Sequence, residues 1–167
     1  MMVNEQVAVV LTVNGDRFEL MVEADWILAD VLREKLGLTG TKMMCGEGAC
    51  GSCTVLIDGE PVPSCLTLAV ECQGKDILTI EGLADPVTGE LHPLQKAFVE
   101  RSGMQCGVCT AGVILTAKAL LDENSNPTED EVREALAGNL CRCGNYKRIT
   151  ECVMVAAEMM RGGVRNA

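Results

Sequence analysis

The sequence predicts an α+β fold in two parts: a small mixed sheet crossed by one helix over residues 1–82, then an all-α, four-helix-bundle-like domain over residues 83–167. Three observations lead there. Short β-branched or alternating apolar runs fill the chain as far as Ile80, the pattern of half-buried strands. From Gly82 onward every apolar run recurs at helical spacing instead. Between the two regimes, Leu83-Ala84-Asp85-Pro86-Val87-Thr88-Gly89 reads as a linker.

The elements follow in order. Val7 to Val13 is β-branched and apolar, Asn14-Gly15 is a strong hairpin turn, and Arg17 to Val22 alternates as a half-buried strand does. Asp25 is placed to cap a helix over residues 26–36, with Ile27, Val31, Leu32 and Leu36 on one face and Gly37 closing it. After an irregular glycine-rich stretch come a strand over residues 54–57, a turn at Asp58-Gly59, a short strand at Pro61-Val62 and a last strand over residues 76–80. In the second part, Pro93 suits the first turn of a helix carrying Leu94, Ala97 and Phe98. Residues 110–121 are apolar on most faces and predict a central helix. Thr128 with Glu131 forms a capping box for a third helix through Ala137, and residues 147–160 read as a fourth.

Composition excludes several functions. At 167 residues and 48% apolar content the chain is a folded globular protein of one or two domains. A formal net charge of -10 leaves no basic face to neutralise phosphates, and two Phe, one Trp and one Tyr give no stacking platform, so no nucleic-acid partner is expected. Residues 1–6 lack the basic and apolar regions of a targeting segment, and no apolar run is long enough for a membrane span. The expected location is the cytoplasm, where closely spaced cysteines more often bind metal than pair as disulfides.

There are ten cysteines, and three fall within Cys45-Gly46-Glu47-Gly48-Ala49-Cys50-Gly51-Ser52-Cys53. Four residues separate the first pair and two the second, the plant-type spacing for a 2Fe-2S cluster whose fourth cysteine lies further on. Cys65 is the obvious fourth. Gly46, Gly48 and Gly51 supply the backbone freedom such a wrapped loop needs. The same residues spell a Gly-x-Gly-x-x-Gly dinucleotide fingerprint, but that motif must follow a strand and open a helix. Here a poor strand precedes it and a good one follows.

A second set consists of Cys106 and Cys109 before the second helix, with Cys141 and Cys143 between the third and fourth. Helix N-termini favour the negative charge of thiolates. A four-cysteine zinc site is the alternative, although the close spacing of Cys141 and Cys143 favours iron–sulfur.

Taken together, Cys-x4-Cys-Gly-x-Cys, then Cys65-Leu66-Thr67-Leu68-Ala69, Gln105-Cys106-Gly107-Val108-Cys109-Thr110 and Gly138-Asn139-Leu140-Cys141-Arg142-Cys143 resemble the small iron–sulfur subunit of the molybdenum hydroxylases. That family includes the xanthine dehydrogenases, aldehyde oxidoreductases and aerobic carbon monoxide dehydrogenases. The resemblance covers about residues 5–160 and implies a ferredoxin-like, β-grasp N-terminal domain and a helical second domain, each with one 2Fe-2S cluster. It implies that Cys45, Cys50, Cys53 and Cys65 hold the cluster on the flavin side, and that Cys106, Cys109, Cys141 and Cys143 hold the one nearer the molybdenum cofactor. Gln105 matches a glutamine that hydrogen-bonds the pterin of that cofactor. Electrons would then pass from a large molybdenum-cofactor subunit to a medium FAD subunit or another acceptor, with a dimer of heterotrimers among the assemblies implied. The chain itself would carry no substrate site.

Three positions depart from the family pattern: Met44 for a common glycine, Ala111 for a common proline, and Gly144-Asn145 for a frequent Thr-Gly before Tyr146. Cys72 and Cys152 are left over and read as buried apolar thiols. His92, the one histidine, reads as a surface loop residue. Two alternatives stand beside the main reading: a free-standing two-cluster ferredoxin, whose acidity would suit docking on basic patches, and a zinc-stapled interaction module.

Overall fold

The computed structural model describes residues 6–162. The outer ends of the two expected domains, including most of the segment read for targeting signals, lie outside the described residues. Strands β1 (Gln6–Val13) and β2 (Asp16–Glu23) form the opening hairpin, paired antiparallel from Gln6↔Glu23 to Val13↔Asp16. Strands β3 (Thr54–Ile57), β4 (Glu60–Pro63) and β5 (Asp76–Leu78) complete a five-stranded sheet in the order β2-β1-β5-β3-β4. The β1–β5 pair is parallel and the others are antiparallel, so the sheet is mixed as expected. The outer strand β4 carries Pro61 and Pro63, which lack a donor and suit an edge.

Alternation along β1 puts Val9, Leu11 and Val13 in a core with Val22, Val55, Ile57 and Ile77, closed by Leu28, Val31 and Leu32 from the helical segment. The turn residue Asn14 has φ +54, and its amide fixes the far end of the sheet: Oδ1 accepts from Thr79 N–H at 2.8 Å and Nδ2 donates to Thr79 Oγ1 at 3.0 Å. That bond explains why β5 stops at Leu78 rather than Ile80. Thr79 is taken by a side chain, and Ile80–Gly82 turns away as a 3-10 helix.

The helix expected over residues 26–36 is shorter and wound differently. Ile27 bridges Leu68, and Leu28 N–H donates to Thr67 O at 2.7 Å, so a first-turn donor is already paired and Asp25 makes no cap. A single turn, α1 (Leu28–Asp30), passes into a π-helix, Val31–Lys35, with Leu36 N–H bonded to Val31 O. Arg33 then donates to Thr41 O at 2.7 Å, which anchors the loop leading to Cys45.

Four helices follow: α2 (Pro93–Glu100), α3 (Thr110–Glu123), α4 (Glu129–Ala135) and α5 (Tyr146–Gly162). As the apolar pattern predicts, α3 is central, with every residue from Ala111 to Ala117 buried. It packs between the helical core, which contains Leu94, Phe98, Ile149 and Val153, and strand β3 of the sheet. The capping box at Thr128 forms, with Glu131 N–H donating to Thr128 Oγ1 and Glu131 Oε2 accepting from Thr128 N–H. The linker is a closed turn. Asp85 Oδ1 accepts from the N–H groups of Val87 and Thr88, and Asp85 N–H donates to Glu90 O.

His92 is not a loose surface residue. It is half-buried at the N-cap of α2, where Nδ1 accepts from Leu94 N–H at 3.2 Å and its own N–H donates to Gln95 Oε1 at 3.0 Å. Burial, with Lys118 nearby, holds its pKa below the ordinary 6.5. The folded state therefore binds fewer protons than the unfolded chain, so this contribution is complete above pH 6.5 and is lost as the pH falls below it. We predict that His92→Ala costs about 1 kcal/mol near pH 8. His92→Asn should keep the cap and reduce the loss of stability between pH 7 and 5.5, as measured by thermal unfolding; an identical pH profile for wild type and His92→Asn would contradict this role.

Candidate metal centres

Residues 45–53 form no regular element, and Gly46, Gly48 and Gly51 all sit in the left-handed region at φ +71, +74 and +67. These turns aim backbone N–H groups inward. The Glu47 N–H, then the neighbouring Cys50 thiol, lower the Cys45 pKa to about 7. Cys65 arrives from the short 3-10 turn Ser64–Leu66, tied down by Ser64 Oγ donating to Cys53 O at 2.7 Å. Burial, then the adjoining Cys53 thiol, pushes Cys65 up to about 11. Ser52, fully buried, has its hydroxyl 3.1 Å from Cys50 Sγ. Thus Cys45 neighbours Cys50 while Cys53 neighbours Cys65.

The second set repeats that pattern. Cys106 and Cys143 lie at the surface with their sulfurs 3.4 Å apart, and the Val108 N–H, then the Cys143 thiol, lower the Cys106 pKa. Cys109 and Cys141 are buried, and burial followed by the Cys141 thiol pushes Cys109 up to about 12. Cys109 is the N-cap of α3, and Cys141 is positioned by its N–H donating to Tyr146 Oη at 2.9 Å. Gly107 and Gly144 take φ +83 and +71 to turn the chain beside these thiols. Gln105 is exposed next to Cys106, and Met104, beside it, is 39% exposed.

Both sets fit a two-iron cluster. A rhombic 2Fe-2S core takes four thiolates as two per iron, and each set divides into two adjoining pairs. A single zinc takes four ligands around one point. Among the described residues, two buried polar side-chain atoms lack a protein partner: Thr41 Oγ1, four residues before Cys45, and Asn145 Nδ2, two residues after Cys143. Donors of this kind suit the sulfurs of a cluster. By contrast, Cys72 and Cys152 lie in the apolar cores with raised pKa values, about 11 for Cys152, as burial dictates. They are packing thiols.

Sequence reasoning missed Ser64, Tyr146 and Asn139, whose roles depend on contacts made across the fold. Asn139, 5% exposed, donates through Nδ2 to Gly51 O at 3.0 Å. The signal for it was its place in the Gly138-Asn139-Leu140-Cys141-Arg142-Cys143 motif, two before Cys141.

Comparison with known proteins agrees with this geometry. Residues 11–78 match the family profile of a 2Fe-2S iron–sulfur cluster binding domain, and residues 79–154 match that of a [2Fe-2S] binding domain. The chain is therefore a two-domain iron–sulfur protein. It is 48% identical over 153 residues to the nicotine 6-hydroxylase small subunit of Paenarthrobacter nicotinovorans, covering 92% of this chain and 91% of that one. It is 44% identical to the nicotinate dehydrogenase small FeS subunit of Eubacterium barkeri, covering 92% and 96%. The structure of quinoline 2-oxidoreductase from Pseudomonas putida 86 superimposes with a TM-score of 0.89 at 48% identity, over 95% of this chain and 98% of that one. The chain belongs to the family of small iron–sulfur subunits of the molybdenum hydroxylases, the electron-transfer subunits of xanthine, aldehyde and nicotinate dehydrogenase-type oxidoreductases. Among the described residues no helix is long and apolar enough to cross a membrane.

The glycines of the first loop differ in what a side chain would meet. A Cβ at Gly46 would meet nothing within 4 Å, whereas one at Gly51 would lie 2.5 Å from Gly138 O. Gly46→Ala is expected to cost about 1–2 kcal/mol for the left-handed backbone alone. Gly51→Ala should cost more and impair cluster retention, because the obstructing atom is backbone. Denaturant titration followed by visible absorbance would compare them, and equal losses would contradict the close packing at Gly51.

Proposed function

We propose that Cys45, Cys50, Cys53 and Cys65 hold one 2Fe-2S cluster and that Cys106, Cys109, Cys141 and Cys143 hold the other. The two units span residues 1–82 and 83–167, the second built as a four-helix-bundle-like domain. The observation that carries this reading is the division of each set into two adjoining thiol pairs. When bound, each cluster accepts and gives up one electron. The chain contributes placement, burial and hydrogen bonding. Backbone N–H groups of Glu47 and Val108 stabilise the thiolate forms of Cys45 and Cys106, and Tyr146 holds Cys141 in position.

The clusters relay electrons from a large molybdenum-cofactor subunit to a medium FAD subunit or another acceptor, in the cytoplasm, within a complex assembled as a dimer of heterotrimers. The surface pair Cys106 and Cys143, with exposed Gln105, faces the molybdenum subunit, and Gln105 donates or accepts a hydrogen bond at the pterin. The names of the relatives, nicotine 6-hydroxylase, nicotinate dehydrogenase and quinoline 2-oxidoreductase, make N-heteroaromatic compounds the first substrates to test with the complex.

The test is composition and spectroscopy of the purified complex. About four irons and about four labile sulfides per copy of this chain are expected, in two clusters separable by electron paramagnetic resonance after reduction. Cys45→Ser should perturb one cluster and Cys106→Ser the other. Loss of a cluster in Cys72→Ser but not in Cys65→Ser would overturn the choice of fourth ligand, and a colourless zinc protein would overturn the reading altogether. Gln105→Ala should leave both cluster spectra intact while weakening retention of the molybdenum cofactor or slowing electron delivery, a cost of about 1–3 kcal/mol for one lost buried hydrogen bond. Full cofactor occupancy with unchanged rates would remove Gln105 from the site.

A further inference from the structure

The two cysteine loops are joined to each other directly. Cys50 O accepts from Leu140 N–H at 2.9 Å, and the next carbonyl, Gly51 O, accepts from Asn139 Nδ2 at 3.0 Å. Two successive carbonyls of the first loop are thus bonded by two successive residues of the segment that leads into Cys141. Gly51 O also accepts from Thr54 Oγ1 at 2.8 Å and from Thr54 N–H at 3.3 Å, so three donors meet at one buried oxygen. The packing there leaves no slack. A Cβ on Gly51 would lie 2.5 Å from Gly138 O, and one on Gly112, in the first turn of α3 after Cys109, would lie 2.1 Å from Gly51 O. Gly51 is therefore held between segments adjoining Cys109 and Cys141, while itself lying between Cys50 and Cys53.

Of the two hydrogen bonds that join the loops, Leu140 N–H to Cys50 O is backbone and Asn139 Nδ2 to Gly51 O is made by a side chain. The residue is 5% exposed, reaches across 88 positions of sequence, and has its amide N–H satisfied by Gly51 O. Water could not easily replace it, because the bond is buried and close-packed on both sides.

We propose that Asn139 is a positioning residue for electron exchange between the two centres: its amide fixes the first cysteine loop against the second and so sets the separation and orientation of the two clusters. This rests on the two-cluster reading above. One electron is exchanged between the two sites, one being oxidised as the other is reduced, and no bond forms or breaks. The rate therefore depends on the geometry between the sites, which this chain's residues set, and a displaced loop slows exchange without emptying either site.

The experiment uses the assembled complex, with iron and sulfide analysis and low-temperature electron paramagnetic resonance after full reduction by dithionite. Two centres that have each taken up one electron are both paramagnetic, and at a fixed short separation they split each other's signals. The wild type should show that splitting with about four irons per chain. In Asn139→Ala the splitting should collapse to the sum of two independent signals at unchanged iron content, and internal electron transfer should slow. Asn139→Leu, of similar shape but with neither a donor nor a buried charge, guards against loss of folding and should give the same collapse. Wild-type splitting in either variant at full iron content overturns the role of Asn139, as does absence of splitting in a wild type with both clusters. About two irons in the wild type instead overturns the two-cluster reading beneath it.

Discussion

Gathering four thiols in one place, twice in a chain of this size, is the constraint to which the rest of the structure answers. A ligand thiol must give up its proton, and four neighbouring thiolates repel one another unless cations and aimed donors compensate. The inner thiols, Cys65 at about 11 and Cys109 at about 12, show how strongly burial and neighbours resist that charge. The outer thiols, Cys45 and Cys106, are shifted downward by backbone N–H groups. Each centre thus has a buried member that resists ionisation and an outer one prepared for it.

The fold is arranged to hold these thiols. In the first half, the sheet and the short helical segment provide a rigid floor, and Arg33 and Ser64 attach the loop ends to it. In the second half, the thiols lie before α3 and α5, where free N–H groups and helix dipoles favour negative charge. Gly112, the small residue in the first turn of α3, then brings the two halves into backbone contact at Gly51.

Much of this was legible in the sequence. Asn14-Gly15, Thr128 with Glu131, and Pro93 act through neighbours three or fewer residues away, so their elements appear where local chemistry puts them. The nearness of Cys45 to Cys50 was equally readable, since the glycine-rich segment between them closes locally. What failed to show were bonds between residues far apart in sequence. Asp25 loses its capping role because Thr67 and Leu68 occupy that turn, and β5 is cut short by Asn14 acting 65 positions away; His92, by contrast, becomes a cap through its near neighbours Leu94 and Gln95. That last case was local and readable; the imidazole was overlooked because Ser, Thr, Asp and Asn are the usual caps.

The position of α3 has a consequence for how the chain comes apart. Its residues belong to the helical core on one side and press on β3 and Gly51 on the other, while the connecting turn at 85–90 is exposed, Val87 to 91%. The covalent link between the halves is thus a minor part of what joins them. A protease cutting at Val87 would leave two fragments that stay associated through α3, and the nicked protein would melt in one cooperative step rather than two.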